Sequence, residues 1–385
     1  MPFSDLHKDL EGRAALGLLR QRRMLQSPQS PHINVDGKPY LSFCSNDYLG
    51  LANHPQLIAG LQQGAAHYGV GAGAAHLVSG HTQAHHELEI ALADFVGKPA
   101  ALLFSTGYMA NLGAVQALVG KGGTVFADKL NHASLNDAMQ LSRANVQRYR
   151  HNDVGHLAQL LEKTGSGRKL VITDAVFSMD GDMASLPGLL ALCEQHDAWL
   201  LVDDAHGFGV QGEAGRGSLS HSGIVSPRII YMATLGKAAG VSGAFVAAEQ
   251  VVIDTLINHA RSYVYTTAAP PALASAILAS LQLIAQGEGL RAHLQRLIAQ
   301  LRSGLHQLPW KLMPSATAIQ PMLIGGNRQA LNISESLRER GIWVAAIRPP
   351  AVPQGTARLR ITLSAAHRAA DVTRLIEALH ELAQG

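Results

Sequence analysis

The chain has 385 residues, of which 47% are hydrophobic and 15% carry a charge. This composition is that of a globular protein with more core than one ordinary domain needs, so we expect two main domains and no disordered arm. The formal net charge is only +3, and the Lys and Arg residues are spread along the chain. This pattern excludes a basic nucleic-acid-binding surface and predicts no nucleic-acid partner.

Cysteine content and apolar patterning indicate the compartment. Cys44 and Cys193 are too few for a disulfide framework and stand in no metal-binding spacing, so we predict a reducing compartment and no metal site. The amino terminus mixes acidic and basic residues without an apolar signal core, and no apolar run reaches membrane-spanning length. The sequence therefore predicts a cytoplasmic protein with no membrane partner.

The first 44 residues form the first predicted segment. Apolar residues recur at helical spacing from Ser4 to about Gln26, which predicts an amphipathic helix with a solvated basic face. A proline-containing link then leads to a predicted hairpin over Ile33–Leu41, in which Asp36-Gly37 is a turn signal. We expect this segment, 1–44, to precede the main domain.

From residue 45 to residue 268 the chain alternates short apolar runs with longer helical patterns. This alternation predicts an α/β domain with a large, doubly wound, mainly parallel sheet. The strand candidates are Ala100–Phe104, Thr124–Ala127, Leu170–Thr173, Leu200–Asp203 and Ile229–Ala233.

The region 269–385 is predicted to form a smaller α+β domain. It opens with Pro270 and a stretch rich in Ala, Leu and Gln, which predicts a long helix up to about Gln307. Strand-like runs and a terminal helix follow, and the runs are Met322–Ile324, Ile342–Ile347 and Ala357–Leu363.

Two polar groups follow neighbouring strand candidates of the large domain. Asp203 ends the run Trp199–Asp203, and Lys237 follows the next run within a stretch of glycines and other small residues. The carboxyl ends of parallel strands meet at the edge where ligands of open α/β sheets bind. Pyridoxal phosphate (PLP) enzymes need a Schiff-base lysine and an acidic partner for the pyridinium nitrogen. The pattern therefore predicts a PLP site.

Other polar stretches are less specific when each is taken alone. Ser105–Asn111 opens a predicted helix and could bind phosphate, although an ordinary N-cap by Ser105 or Thr106 is the better explanation of this stretch taken alone. His132 follows a strand candidate, but it is one of 19 histidines. The run Gly69–His76 lacks the strand-turn-helix frame of a dinucleotide-binding motif, and we interpret it as a loop.

Five segments, in their order and spacing, resemble the α-oxoamine synthases, a branch of the fold-type I PLP-dependent transferases. They are SFCSNDYLGL, VFSMDGD, LLVDDAHGFGVQGEAGRG, TLGKAAGVSG and AIRPPAVPQGTARLRITL. The resemblance extends from the N-terminal segment to the carboxyl terminus. It implies the fold-type I architecture, PLP as the cofactor and acyl transfer as the reaction.

The resemblance also implies residue roles. Lys237 would carry the cofactor, Asp203 would pair with its pyridine nitrogen, and His132 would stack on its ring, so these three are the predicted catalytic residues. The other implied cofactor-binding residues are Ser178 and His206 near the 3-oxygen, Gly107, Tyr108 and Thr234 at the phosphate, and Thr266 and Thr267, which would complete the phosphate site of a neighbouring subunit. A homodimer follows from that last assignment.

For substrates, the resemblance implies that Arg20 meets the acyl group, that Arg360 binds the amino-acid carboxylate, and that His132 and Ala351 lie beside the substrate. Ala351 replaces a frequent Thr, which leaves substrate selectivity open. The stretch Ala346–Pro350 favours the branch that condenses L-alanine with a pimeloyl thioester of coenzyme A or of acyl carrier protein.

Three alternatives to this branch remain. A sister synthase would use glycine and another acyl-CoA, an aminotransferase would release a keto acid, and a binding module would catalyse nothing.

Overall fold

The structure, a computed structural model, describes residues 2–384. In this part of the chain the α-helices are α1 (Ser4–Ala15), α2 (Pro55–Tyr68), α3 (Gln83–Val96), α4 (Gly107–Leu118), α5 (Ala133–Leu141), α6 (Val154–Glu162), α7 (Leu186–Gln195), α8 (Ser218–His221), α9 (Gln250–His259), α10 (Arg261–Val264), α11 (Pro271–Ala285), α12 (Glu288–Leu305), α13 (Asn327–Glu339) and α14 (Ala369–Gln384). The strands are β1 (His32–Val35), β2 (Lys38–Ser42), β3 (Ala100–Phe104), β4 (Thr124–Asp128), β5 (Asn145–Tyr149), β6 (Lys169–Asp174), β7 (Trp199–Asp203), β8 (Ile229–Thr234), β9 (Ala244–Ala248), β10 (Lys311–Leu312), β11 (Ile319–Gly325), β12 (Ile342–Trp343), β13 (Ala345–Ile347) and β14 (Ala357–Thr362).

The chain divides into two compact units. The sheet unit comprises Leu51–Ser178 and Met183–Gly289, and the terminal unit comprises the residues up to Gly50, Met179–Asp182 and the residues from Leu290 onward. The division at 1–44, 45–268 and 269–385 that the sequence suggests stays a prediction.

A seven-stranded sheet with the order β3-β9-β8-β7-β6-β4-β5 organises the sheet unit. Neighbours from β8 to β5 are parallel, and β9 runs antiparallel to both β3 and β8. The predicted mainly parallel α/β sheet is therefore confirmed, including its five strand candidates. The pattern missed β5, whose residues are mostly polar and exposed, and β9, whose three alanines carry little strand preference.

Helices α4, α5 and α9 pack against this sheet and close one apolar core. Val115 and Leu135 are fully buried there, as are Val246 and Leu256. Burying such a side chain contributes about 1.5–3 kcal/mol. This core holds the carboxyl ends of the central strands, which carry the polar residues of interest.

The terminal unit contains two small sheets, with the orders β1-β2-β12 and β10-β11-β14-β13. The predicted hairpin is confirmed, because β1 pairs antiparallel with β2 and Asp36 and Gly37 both have positive φ, as a tight two-residue hairpin turn requires. The predicted run Ile342–Ile347 is two short strands, one in each sheet.

Two helix predictions were wrong in extent. Helix α1 ends at Ala15 and not near Gln26, because Gly17 adopts a φ of +66°, which the right-handed helix cannot continue. The long helix predicted up to Gln307 is two helices, α11 and α12, separated by Gln286 and Gly287. In the described residues no single helix is long and apolar enough to cross a membrane, and only α11 and α12 taken together across their break meet that test.

The turn that follows β8 generates a stability prediction. Gly240 has a φ of +70°, and a Cβ added there would lie 2.7 Å from backbone atoms of Leu51 and Ala52. We expect Gly240→Ala to lower the free energy of unfolding by about 2–4 kcal/mol, because strain and overpacking act together. Urea denaturation of the variants Gly240→Ala and Gly236→Ala measures the midpoint of unfolding of each, for comparison with the parent protein.

Gly236→Ala is the matched control, since a Cβ there meets nothing closer than 3.9 Å. Its midpoint should stay near that of the parent protein. Equal midpoints for the two variants would contradict the packing of this turn.

Candidate active site

Two consecutive aspartates at the end of β7 have different surroundings. Asp203 is 5% exposed, and its carboxylate accepts hydrogen bonds from the Ala205 N–H (3.0 Å) and from the side-chain amide of Asn111 (2.7 Å). A buried carboxylate is tolerable only with such donors. Asp203 is thus a fixed, buried anion at the carboxyl edge of the sheet.

Asp204 serves the structure of the sheet unit. Neighbouring strand residues point to opposite faces, and the Asp204 carboxylate accepts bonds from the backbone N–H of Ser218 (2.7 Å), its hydroxyl (2.5 Å) and the hydroxyl of Tyr231 (2.8 Å). Burial raises the pKa of Asp204 to about 6 despite these bonds. Its lone pairs are therefore committed to neighbouring elements.

Lys237 lies in the turn after β8, one strand further along the sheet. Its Nζ is 3.0 Å from Nε2 of His206, which follows β7, and both side chains are half-buried. The turn is closed by hydrogen bonds from Leu235 N–H to the Gly243 carbonyl and from Gly240 N–H to the Lys237 carbonyl. The structure thus brings Lys237 and His206 together at this edge of the sheet.

The amino-terminal end of α4 lies against the end of β8. Thr106 is the N-cap, and its hydroxyl accepts a bond from the Met109 N–H. A Cβ on Gly107 would lie 2.5 Å from the Thr234 methyl group, so only glycine fits there. The open backbone N–H groups of Gly107 and Tyr108 and the Thr234 side chain therefore occupy one corner, which suits an anion.

The Tyr108 side chain makes a different contact from the one proposed for its backbone. It is 43% exposed, and its hydroxyl donates to the carboxylate of Asp137. Only the backbone of Tyr108 is left for the predicted phosphate contact.

His132 caps the amino terminus of α5. Its backbone N–H donates to Asp174 (2.8 Å), and its Nδ1 lies 2.8 Å from the Ser134 hydroxyl. Desolvation lowers the pKa of His132, while the charge of Asp203 opposes that shift. The bond from the backbone to Asp174 and the contact of Nδ1 with Ser134 at the start of α5 therefore hold the His132 ring in place.

Asp174 is a buried carboxyl that the sequence analysis did not identify. It ends β6 directly opposite Asp203 in the sheet register. Burial first, and the charge of Asp203 next, raise the pKa of Asp174 well above its usual value. Asp174 therefore fixes the His132 backbone, and its raised pKa favours the neutral carboxyl group.

Asn111 is a second residue that the sequence analysis left without a role. Its side-chain Nδ2 donates to Asp203 (2.7 Å) and to the Ser134 hydroxyl (2.9 Å), which in turn meets His132 Nδ1. A polar amide one turn into a helix of mostly apolar residues could have drawn attention to Asn111, although nothing in the spacing pointed to its partner Asp203. The chain Asp203–Asn111–Ser134–His132 links two of the predicted catalytic residues.

The remaining predicted residues of the sheet unit lie in loops. Ser178 follows the end of β6 and is half-buried. Thr266 and Thr267 follow α10, where Thr267 pairs with Ala75 and the Ala268 N–H donates to the Ala74 carbonyl. The Thr266–Thr267 segment is therefore tied to the glycine-rich loop, and its predicted phosphate role stays a prediction.

Three of the four predicted substrate residues belong to the terminal unit, and the fourth, His132, belongs to the sheet unit. Arg360 lies in β14 and is 7% exposed, and its guanidinium donates to the Asn46 side-chain oxygen (3.2 Å) and the Thr362 hydroxyl (3.0 Å). Arg20 lies beyond the end of α1, so the prediction that it is part of the helix was wrong. Both Arg20 and Ala351 are exposed.

The residues of the sheet unit fit PLP. They provide an amine at Lys237, a fixed carboxylate at Asp203, and an anion-binding helix terminus at Gly107 beside a threonine. These are the three groups that PLP needs from a protein, for its carbonyl carbon, its pyridine nitrogen and its phosphate.

Removal of the Asn111 amide tests how Asp203 is held. We expect Asn111→Ala to weaken PLP affinity by about 10–100-fold, because a hydrogen bond to a charged group contributes roughly 1.5–3 kcal/mol. Fluorescence titration of apoprotein with PLP measures the affinity. The control Ser134→Ala keeps the Asn111–Asp203 bond and should bind PLP within about threefold of the parent. Equal losses in the two variants would contradict the role of Asn111.

Comparisons with known proteins agree with this geometry. The family model "Aminotransferase class I and II" matches residues 38–379. An 8-amino-7-oxononanoate synthase from Nitrosomonas europaea is 62% identical over 99% of this chain and 100% of its own length. A second, from Nitrosospira multiformis, is 62% identical over 98% of this chain and 95% of its own length.

Two solved structures are also similar. A serine palmitoyltransferase from S. paucimobilis, solved with a bound adduct of PLP and myriocin, superposes with a TM-score of 0.93 at 29% identity, covering 99% of this chain and 97% of that one. The 8-amino-7-oxononanoate synthase from Francisella tularensis has a TM-score of 0.78 at 30% identity, covering 90% and 98%. The predicted fold-type I architecture and PLP dependence are thereby confirmed. This chain belongs to the aminotransferase class I and II family and, within it, to the PLP-dependent 8-amino-7-oxononanoate synthases.

Proposed function

We propose that this enzyme condenses L-alanine with a pimeloyl thioester, and that CO2 and the free thiol leave as 8-amino-7-oxononanoate forms for biotin biosynthesis. The observation that carries the proposal is the placement of the Lys237 amine 3.0 Å from His206, beside the strand that ends in the buried Asp203. The names of the relatives support the product. We place the reaction in the cytoplasm.

Lys237 is proposed as the residue that carries the cofactor and then moves the substrate proton. When bound, PLP supplies an electron sink for charge that develops on the amino-acid Cα. Once its amine is released, Lys237 can act as the general base that takes the proton from that carbon. His206, within hydrogen-bond distance of Nζ, orients the amine.

Asp203 and His132 are proposed to tune and hold the ring. A carboxylate beside the pyridine nitrogen favours its protonated form, and the bonds from Ala205 and Asn111 keep that carboxylate in one orientation. His132, held by Asp174 and Ser134, would stack on the ring. Ser178 would bond near the 3-oxygen together with His206.

The phosphate would bind at the start of α4, through the N–H groups of Gly107 and Tyr108 and the Thr234 hydroxyl. We propose that Thr266 and Thr267 of a neighbouring subunit complete the phosphate site in a homodimer. Helix α1 supports a subunit contact, because it buries none of its residues and leaves Leu6 61% exposed. Apolar surface of this kind usually meets a partner.

Arg360 is proposed to bind the carboxylate of L-alanine, since a guanidinium matches a carboxylate with two parallel hydrogen bonds. Arg20 is proposed to meet the acyl substrate. Its charge, after partial burial, helps to lower the pKa of Arg348, so the two cations lie near each other. Such a pair suits the pimeloyl carboxylate or the phosphates of its carrier, either coenzyme A or acyl carrier protein. Ala351 would lie beside the substrate.

Replacement of Lys237 tests the reaction. We expect Lys237→Ala to lose at least about 10³-fold in kcat with L-alanine and pimeloyl-CoA, because both cofactor attachment and proton transfer depend on this amine. The exposed Lys129→Ala is the control and should keep its activity. Product formation followed by mass spectrometry measures both. Appreciable turnover by Lys237→Ala would remove Lys237 from the mechanism.

Replacement of Arg360 tests amino-acid recognition. We expect Arg360→Lys to raise KM for L-alanine by about 10–100-fold, with a smaller change in kcat, because lysine cannot form the bidentate contact. The exposed Arg340→Lys should leave KM unchanged. An unchanged KM in Arg360→Lys would refute its role.

If the parent enzyme condenses glycine faster than L-alanine, the sister-synthase alternative replaces this proposal.

A further inference from the structure

A group of ionisable side chains lies at the start of α3, apart from the residues assigned to PLP. His76 begins a single turn of π-helix, His76–Gly80, and His81 follows it. His86 and Glu89 lie on α3. All four line a cavity of about 440 Å³. Nothing in the proposed reaction uses them.

We propose that this cluster is a binding site for a divalent cation of the zinc type, with His81, His86 and Glu89 as its protein ligands and His76 as the residue that orients His81. Two histidines and one glutamate form a known ligand set for zinc with one position left open for water. The site is independent of the condensation reaction.

Distances among the three ligands support the proposal. Their potential ligand atoms all lie within 4.8 Å of one another, and His81 Nε2 is 3.9 Å from Glu89 Oε2. Zinc bonds of 2.0–2.1 Å in a tetrahedron place ligand atoms about 3.3 Å apart. His86 and Glu89 are three residues apart on one helix and so share a face. Small side-chain movements therefore suffice to close the site.

His76 selects the useful tautomer of His81. The two Nδ1 atoms are 3.0 Å apart, so one must donate and the other accept. The His76 ring is held in place, because it stacks on the Tyr263 ring with 5.0 Å between centroids. With the proton on His81 Nδ1, the Nε2 lone pair of His81 is open toward Glu89. An outer residue that holds a ligand in this way is typical of metal sites.

Among the residues that the structure describes, the ion-pair partner of the Glu89 carboxylate is a histidine, His81, and not a lysine or an arginine. Its Oε1 accepts a bond from the Leu103 N–H at 2.9 Å, which leaves Oε2 on the side of His81. The Glu89 side chain is only 13% exposed. A cation at the cluster would supply a permanent positive charge and stabilise the ionised carboxylate.

A rival ligand set of His76, His81 and His85 also has its atoms within 4.8 Å. Both nitrogens of the His85 ring are engaged, however. Nδ1 accepts the Thr82 N–H at 3.1 Å in the capping box of α3, and Nε2 lies 2.8 Å from the Ala269 carbonyl. Use of His85 as a ligand would break one of these buried bonds, so the set with Glu89 is favoured.

The bound ion would join the turn before α3 to α3 itself. That turn directly follows Ala74 and Ala75, whose backbone pairs with Thr267 and Ala268. Cation binding is therefore expected to stabilise the glycine-rich loop and the Thr266–Thr267 segment together.

Calorimetric titration with zinc chloride tests the proposal on untagged holoenzyme that has been treated with a chelator and dialysed. We expect one zinc ion per chain. Glu89→Gln and His81→Asn should each raise Kd at least about 100-fold, and His76→Asn should raise it by about 10–100-fold as an outer residue does. His67→Asn, an exposed histidine outside the cluster, is the control and should bind like the parent.

Circular dichroism without zinc checks that each variant is folded, and Glu89→Gln retains an oxygen for the Leu103 N–H. Absence of a saturable one-to-one zinc site would overturn the proposal. So would parent-like zinc affinity in folded Glu89→Gln and His81→Asn. If His85→Asn loses zinc binding while Glu89→Gln keeps it, the proposed ligand set is wrong and the set of three histidines replaces it.

Discussion

Burial of the Asp203 carboxylate is the constraint on which the site depends. An anion at the end of a buried strand is costly unless donors surround it, and here the donors come from the Ala205 backbone and from Asn111 on α4. The same bond that stabilises Asp203 also fixes α4 against the sheet. Because α4 begins at Gly107, the bond also sets where its open N–H groups lie. One buried carboxylate thus positions both the corner that we propose for the pyridine nitrogen and the corner that we propose for the phosphate.

The parallel register of the central strands delivers the other groups. Asp174 of β6 lies opposite Asp203 of β7, and β8 carries Thr234 and then Lys237. Two neighbouring carboxyl groups cannot both be charged at low cost. Burial and the charge of Asp203 raise the pKa of Asp174, and Asp174 accepts the N–H of His132. Strand order therefore separates the carboxylate that we propose for the cofactor from one that holds the His132 backbone.

Features written in local sequence were predictable, and features that depend on distant contacts were not. Apolar runs ending in polar residues revealed the central strands and, with them, Asp203 and Lys237. Asn111 was missed because its partner Asp203 is 92 residues away, and spacing carries no signal over that distance. The helical pattern beyond Ala15 failed because a single glycine backbone conformation at Gly17 ended it. The cluster around His81 escaped because a π-turn, which matches no metal-binding spacing, brings its members together.

The most direct test of the account is to find which lysine carries the cofactor. Reduction of the holoenzyme with borohydride, followed by proteolysis and mass spectrometry of the peptides, fixes the attachment point permanently. The account predicts one pyridoxyl group per chain, on Lys237. A pyridoxyl group on any other lysine, with Lys237 unmodified, would contradict it.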